Sequence, residues 1–282
     1  MRAEFLDDAN GKPWDPVAVS ANARSATEDS SAAAYIGELD SQPTRASASI
    51  TNDAGLVQVS PGAGAVDLTR PAEGYPGSPG RYRPSGEASF ARIVPADDEQ
   101  AQALADWASE LGARTLSAVS DGSAYGDLMA AEFTAAAEEA GLQVPPEAAA
   151  VDLAFSAGQA DGLQLRGPGV LYETSAALHP SNLPGEQFAS EFEARFNRPP
   201  GPYAAYGYEA MRLVLGAIAD ASDSGDQFRD SVRDGVLGSE RSESVLGPYS
   251  ITDEGDSTVC MIQRYRVQGP ERIPLDAPCP PS

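Results

Sequence analysis

Lysine is almost missing from this chain: Lys12 stands alone, and the other positively charged residues are arginines, a bias of the genome rather than of mechanism. Histidine is scarcer than the chemistry of hydrolases needs. His179 is the single one, so a serine or cysteine nucleophile has one candidate base, and no G-x-S-x-G turn presents a serine to it. A phosphate loop, H-E-x-x-H and C-x-x-C are missing too, which argues against an enzyme and against a cofactor or metal. The carboxylate pairs Asp7/Asp8 and Asp97/Asp98 read as turn and cap residues, with nothing to complete a metal site. No apolar run approaches the roughly 18 to 20 residues of a membrane span. No charged start followed by an apolar stretch marks a signal peptide, and RAEFL directly after Met1 reads as a strand, as if the chain began inside a fold with a segment removed upstream. Only two cysteines occur, Cys260 and Cys279. They make either a structural disulfide, worth about 3 kcal/mol for a loop of this size, or two free thiols.

What is abundant is acid. Aspartate and glutamate number 42 against 19 lysine plus arginine, for a net charge of −23 and a pI near 4.2. Such a surface repels phosphate backbones and anionic lipid, which argues against nucleic acid and a membrane-surface role, and it fits work outside the cytoplasm. With 41% hydrophobic and 22% charged residues the chain is globular, and its 282 residues suffice for two domains.

The organising stretch runs from Ala113 to Val144. Arg114 to Ser120 predicts a strand, SDGSAYGD a turn, and the spacing of Met129, Phe133, Ala136, Ala137 and Ala140 a helix that Gly141 closes. A loop at the carboxyl end of such a strand is where open α/β sheets hold ligands. Upstream, Arg2 to Leu6 predicts a strand, and Asp15 with Pro16 the start of a helix to about Ala26. Ala32 to Ile36 predicts a second strand, Arg45 to Asn52 a helix after the loop GELDSQPT, and Leu56 to Val59 a third strand ending in SPGAG. Phe90 to Val94 reads as a strand, followed by a helix capped by Asp97 or Asp98 with Ala101, Leu104, Ala105, Ala108 and Leu111 on one face. Further strands are expected over 148–155, 170–174 and 258–267. Helices are expected over 186–196, with Phe188, Phe192 and Phe196 facing a core, over 203–221, buried on most sides, and over 227–236.

Four segments, AYIGELDSQPTRASASITNDAGLVQVSPGAG, FARIVPADDEQAQALADWASELGARTLSAVSDGSAYGD, GPYAAYGYEAM and VLGPYSITDEGD, resemble the type I periplasmic binding proteins, and most closely the leucine/isoleucine/valine receptors of ABC importers. The resemblance implies an α/β fold of two lobes, here shortened, that close on a ligand with the chain crossing three times. Lobe 1 would hold residues 1–91 and 200–257, and lobe 2 residues 92–199 and 258–282. It implies an extracytoplasmic, monomeric solute-binding protein, secreted or held by a lipid anchor on a removed N-terminal segment. The protein would capture a small aliphatic or branched-chain amino acid or related amide for an ABC permease and would use no cofactor. A sensory or structural module that keeps the fold without transport is the alternative.

The resemblance also assigns residues. Ser41 and Gln42 match the loop that holds a ligand carboxylate; Gly62, Ala63 and Gly64 match the loop that holds carboxylate and ammonium, with glycine at 64 where the family often has threonine. Tyr125 matches the aromatic that covers the ligand. Among Tyr203, Tyr206 and Tyr208, expected mainly to pack a core, Tyr203 is the one to reach the ligand. The family's first strand and helix and a βα step with a strand, due between Gln164 and Arg166, have no counterpart here. The usual acidic partner of the ammonium is therefore unassigned, with Asp121 and Glu173 as substitutes. His179 reads as an exposed or capping residue.

Overall fold

The computed structural model describes residues 2–9, 11, 13–145, 153–157, 171–222, 224–268 and 271–279. The chain divides into two compact units, Met1–Val94 with Leu183–Val259 and Pro95–Asn182 with Cys260–Ser282. In chain order the first unit supplies α1 (Pro16–Glu28), β1 (Ala34–Ile36), α2 (Ser41–Asp53), β2 (Val57–Ser60) and β3 (Phe90–Arg92). The second supplies α3 (Asp97–Glu110), β4 (Leu116–Ser120), α4 (Ala124–Glu139), β5 (Leu153–Ala157) and β6 (Leu171–Ser175). The first unit resumes with α5 (Phe188–Phe196), α6 (Ala204–Asp220), α7 (Phe228–Val236) and the short hairpin β7 (Glu240–Arg241) and β8 (Tyr249–Ser250). The second ends with β9 (Gln263–Gln268) and β10 (Glu271–Pro274).

In the first unit β1, β2 and β3 form a parallel sheet in that order. Local chemistry explains the element starts. The Asp15 carboxylate accepts from the amides of Val17 (2.9 Å) and Ala18 (3.2 Å), with Pro16 in the first turn where its missing N–H costs nothing. Helix α2 begins at Ser41 rather than at Arg45, because Pro43 falls in the first turn, where proline is tolerated. The expected strand over Arg2–Leu6 does not form: no described strand pairs with β1 except β2, and Phe5 is 92% exposed. Without a neighbour to complete its hydrogen bonds the segment stays irregular.

The second unit is a five-stranded sheet, ordered β10-β9-β6-β5-β4, in which β4, β5 and β6 are parallel and β9 runs antiparallel to both neighbours. Met129, Phe133, Ala136 and Ala137 are buried, joined by Leu104, Ala105, Leu116 and Phe155. Trp107 packs its edge on Phe155 (5.7 Å) and Tyr172 (4.8 Å). Two helix positions depart from the expected faces: Leu111 and Ala140 stand at the ends of α3 and α4 and are exposed, since the chain turns away there through Gly112 and Gly141 at φ +75 and +80. Helix α3 is preceded by Ala96, not capped by Asp97 or Asp98; both aspartates lie in its first turn, where they complement the helix dipole, while Glu99 accepts from the Ala96 amide at 3.1 Å.

The second boundary between units differs from the expected 199. It falls after Asn182, so α5 belongs to the first unit. Gly185 donates to the Val245 carbonyl at 3.0 Å and lies so close that an added Cβ would stand 2.7 Å from Val245 Cα, which draws the chain over before α5 begins. The phenylalanine stripe is not core either: no residue of α5 is buried. Helix α6 buries Tyr206, Glu209, Leu213 and Val214, whereas Tyr208 and Leu215 are exposed. The last strand begins at Gln263 instead of 258, and the tail folds back as β10; Cys260 and Cys279 are joined in a disulfide. The readings over 148–152 and 158–170 lie outside the described residues.

Candidate functional site

In the first unit, the loops that follow β1 and β2 meet at the carboxyl ends of their strands. Ser60, the last residue of β2, ties them together: its hydroxyl donates to the Glu38 carbonyl at 2.6 Å and accepts from the amides of Gly62 (3.2 Å) and Ala63 (2.9 Å). The Ser41 hydroxyl accepts from the Ala65 amide at 3.0 Å, clamping the first turn of α2 to the same loop. Gly62 is there because nothing larger fits. A Cβ would stand 2.8 Å from the Leu39 carbonyl oxygen and 3.1 Å from Tyr203 Cε1. Ser41, Gly62, Ala63, Gly64 and Tyr203 thus belong to one cluster, while Gln42 is exposed beside it.

Beneath this cluster lies Arg92, fully buried on β3. It donates to the carbonyls of Ala63 (3.3 Å) and Ala65 (2.9 Å) and to the Thr69 hydroxyl (2.6 Å), and it pairs with Asp256 at 3.0 Å. Asp256 also accepts from Thr69 at 2.8 Å and pairs with Arg70 at 2.9 Å. The segment carrying it approaches β3 through Gly255, whose φ is +99 and whose Cβ would collide with the Phe90 carbonyl at 1.9 Å. The carbonyls of Ala63 and Ala65 are therefore turned inward. What the loops offer a solute is the hydroxyl hydrogen of Ser41 and the start of α2, whose preceding residue Asp40 makes no side-chain cap and so leaves first-turn amides for an anion.

Glu38, between β1 and α2, is buried and accepts from the Tyr35 hydroxyl at 2.6 Å. Burial pushes its carboxyl up to about 7; the Tyr35 bond opposes this and Asp8 adds to it. Arg92, Ser60 and Glu38 were not singled out from the sequence. An arginine in the apolar run FARIV was the visible signal for the first, and for the others there was none, because their roles lie in contacts between separate segments.

In the second unit, Asp121, Ser123 and Tyr125 share the loop from β4 into α4. Asp121 accepts from the Ser123 amide (2.9 Å) and hydroxyl (2.6 Å), and Ser123 caps α4 by accepting from the Gly126 amide at 2.9 Å. Asp121 thus shapes the helix start, on which Tyr125 is 47% exposed. Glu173 lies apart on β6, buried, in an ion pair with Arg272. Arg272 also stacks on Tyr265 at 4.4 Å. His179 caps a turn, its Nδ1 accepting from the Ser181 amide at 3.2 Å, and burial followed by the nearby Arg272 lowers its pKa. A cavity of about 10 Å³ bordered by Asp106, Thr174 and Arg264 has room for one water, not for a solute, and contains none of the expected ligand residues. Among the described residues no group of histidine, cysteine or carboxylate side chains could hold a metal, and no helix is long and apolar enough to cross a membrane.

Comparison with known proteins places this architecture. The model of the receptor family ligand binding region matches residues 10–156, just over half of the chain, and the chain belongs to that family. Its α/β fold is that of the type I periplasmic binding proteins. An ABC transporter substrate-binding protein from Desulfitobacterium hafniense, solved with Leu, is similar at a TM-score of 0.70 and 22% identity, over 93% of this chain and 85% of that one. A leucine binding protein from Thermotoga maritima is similar at 0.72 and 18%, over 93% and 84%. A solute binding protein of an ABC transporter from R. palustris, in complex with benzoate, is similar at 0.70 and 16%, over 93% and 82%. No curated protein matches the chain.

Proposed function

We propose that the protein is an extracytoplasmic solute-binding protein that captures a small molecule, an aliphatic or branched-chain amino acid or a related amide, and hands it to an ABC permease. The observation that carries this reading is the convergence, at the ends of β1 and β2, of the Ser41 hydroxyl, the uncapped start of α2 and the Tyr203 ring around Gly62. One helix terminus and one hydroxyl suit a carboxylate, and an aromatic wall suits an apolar body. The solved structures of this fold that hold leucine or benzoate support the same chemistry by analogy. From the second unit, Tyr125 is proposed as a further aromatic contact and Asp121 as a secondary one. Glu173 is the weakest candidate for an ammonium, since Arg272 already balances its charge. The proposed lobes are the two units given above.

Thermal unfolding against leucine, isoleucine, valine, their amides and benzoate tests the reading. A ligand at 100 times its dissociation constant adds about 2.7 kcal/mol, a clear rise in midpoint. Ser41→Ala should remove most of that rise for carboxylates and little for amides. A flat response to the whole panel would reject solute capture of this class.

A further inference from the structure

Phe188, Phe192 and Phe196 recur every fourth residue and predict a face pressed against a core, yet α5 buries none of its nine residues. Phe196 is 52% exposed and packs on Phe192 at 4.6 Å; Phe192 packs on Phe188 at 6.0 Å. Phe188 in turn meets Tyr208 of α6, 47% exposed, at 5.5 Å. The row is exposed at Phe196 and Tyr208 and half-buried at Phe188 and Phe192, with the guanidinium groups of Arg195 over Phe196 (5.8 Å) and of Arg198 over Phe192 (6.0 Å); aromatic surface left unburied in this way marks an interaction site. Its charges indicate the occupant. Glu191 and Arg195, both exposed, are one helical turn apart and, at 100° per residue, lie on the same flank of the phenylalanine stripe.

A two-fold axis crossing α5 at the level of residue 193 reverses the helix direction and keeps that flank against itself. Arg195 of each copy then lies opposite Glu191 of the other, and the two stripes face each other. This is the self-complementarity an isologous contact requires. We propose that α5 and the adjoining Tyr208 form a two-fold, antiparallel contact between two copies of this chain, in place of the monomer implied by the resemblance. Each copy carries −23, so the contact belongs to physiological ionic strength, where a Debye length of about 8 Å screens whole-body repulsion more than it screens touching pairs.

Sedimentation velocity of the full chain, over a roughly hundredfold range of concentration, reads the result directly. The wild type should pass from monomer to dimer. Arg195→Glu, which sets glutamate against glutamate, should weaken the dimer by about tenfold or more. The reversed pair Glu191→Arg with Arg195→Glu should restore it, and Phe192→Ser with Phe196→Ser should abolish it. Because no residue of α5 is buried, far-UV circular dichroism and melting should stay close to the wild type and separate lost contact from lost fold. A wild type that is monomeric at every concentration, a dimer indifferent to Arg195→Glu, or a reversed pair that fails to rescue would each overturn the proposal.

Discussion

The two units solve the same problem with different materials. The second is held by an aromatic and aliphatic core, with Trp107, Phe133, Phe155 and Tyr172 between helices and sheet. The first adds buried polar networks to an apolar core that includes Leu56, Val57, Val59, Leu68 and Tyr206. Arg92 with Asp256 and Thr69 is one; Arg45 with Asp67 and the Tyr82 hydroxyl is another, at 2.6 to 2.8 Å; Thr51, Ser47 and Gln58 make a third, at 2.8 Å. A core of this second kind fixes where backbone loops lie, because each buried donor specifies its acceptor, whereas an apolar core tolerates small shifts. The unit that carries Ser41 and the Gly62 loop is the one built by directional bonds. Preorganised loops lose less entropy on binding.

Substitutions can break or sharpen this contrast. The largest effect is expected from Arg92→Ala, which takes the fully buried partner from Asp256, leaving it Thr69 and Arg70, and strands two carbonyls beneath the candidate site; a loss of about 3 to 5 kcal/mol, read by urea unfolding, fits a broken buried pair. Phe155→Ala in the second unit should cost a similar amount, about 3 to 5 kcal/mol, by leaving a cavity. Hydrogen exchange separates the two. The arginine variant should loosen residues 60–69, and the phenylalanine variant should leave them protected.

Reduction of Cys260–Cys279 comes next and should lower the stability of the second unit by about 3 kcal/mol, measured by melting with and without a thiol reductant.

Glu38→Gln should act in the opposite sense and only at higher pH. The folded carboxyl titrates at about 7 against an ordinary 4.5, so between these values the folded protein binds more protons than the unfolded chain. The wild type is then most favoured below about 4.5 and loses stability as pH rises through 7. The glutamine variant, which cannot ionise, should gain on the order of 2 kcal/mol at about pH 8 and little at about pH 5, in paired urea titrations. The smallest stability effect belongs to Tyr125→Ala, within about 0.5 kcal/mol because the ring is half exposed, while the ligand-induced rise in midpoint should shrink.

Much of this was legible in the residues. Asp15 with Pro16, the Met129 to Ala137 spacing and Gly141 each act within a turn or two of chain, and local rules predict them well. That the loops after β1 and β2 lie side by side was legible through the small residues of SPGAG. The helical start at Ser41 was not, since Pro43 punctuates a loop and a first turn equally well. The phenylalanine stripe misled for a related reason: periodicity shows that a face is apolar but not what lies opposite it.

By itself the sequence determined the class of fold, the order of helices α1 to α7 and of strands β1 to β6, and the family, because these follow from patterns repeated along contiguous residues. The tertiary structure alone decided that Arg92 sits under the loop of Ala63 and that Gly62 must stay bare beside Leu39 and Tyr203. It also decided that Asp121 shapes a helix start, that Arg272 balances Glu173 and that α5 lies open. Each of these depends on which distant segment arrives as a neighbour, and a buried charge or a close backbone approach has meaning only once that neighbour is in place.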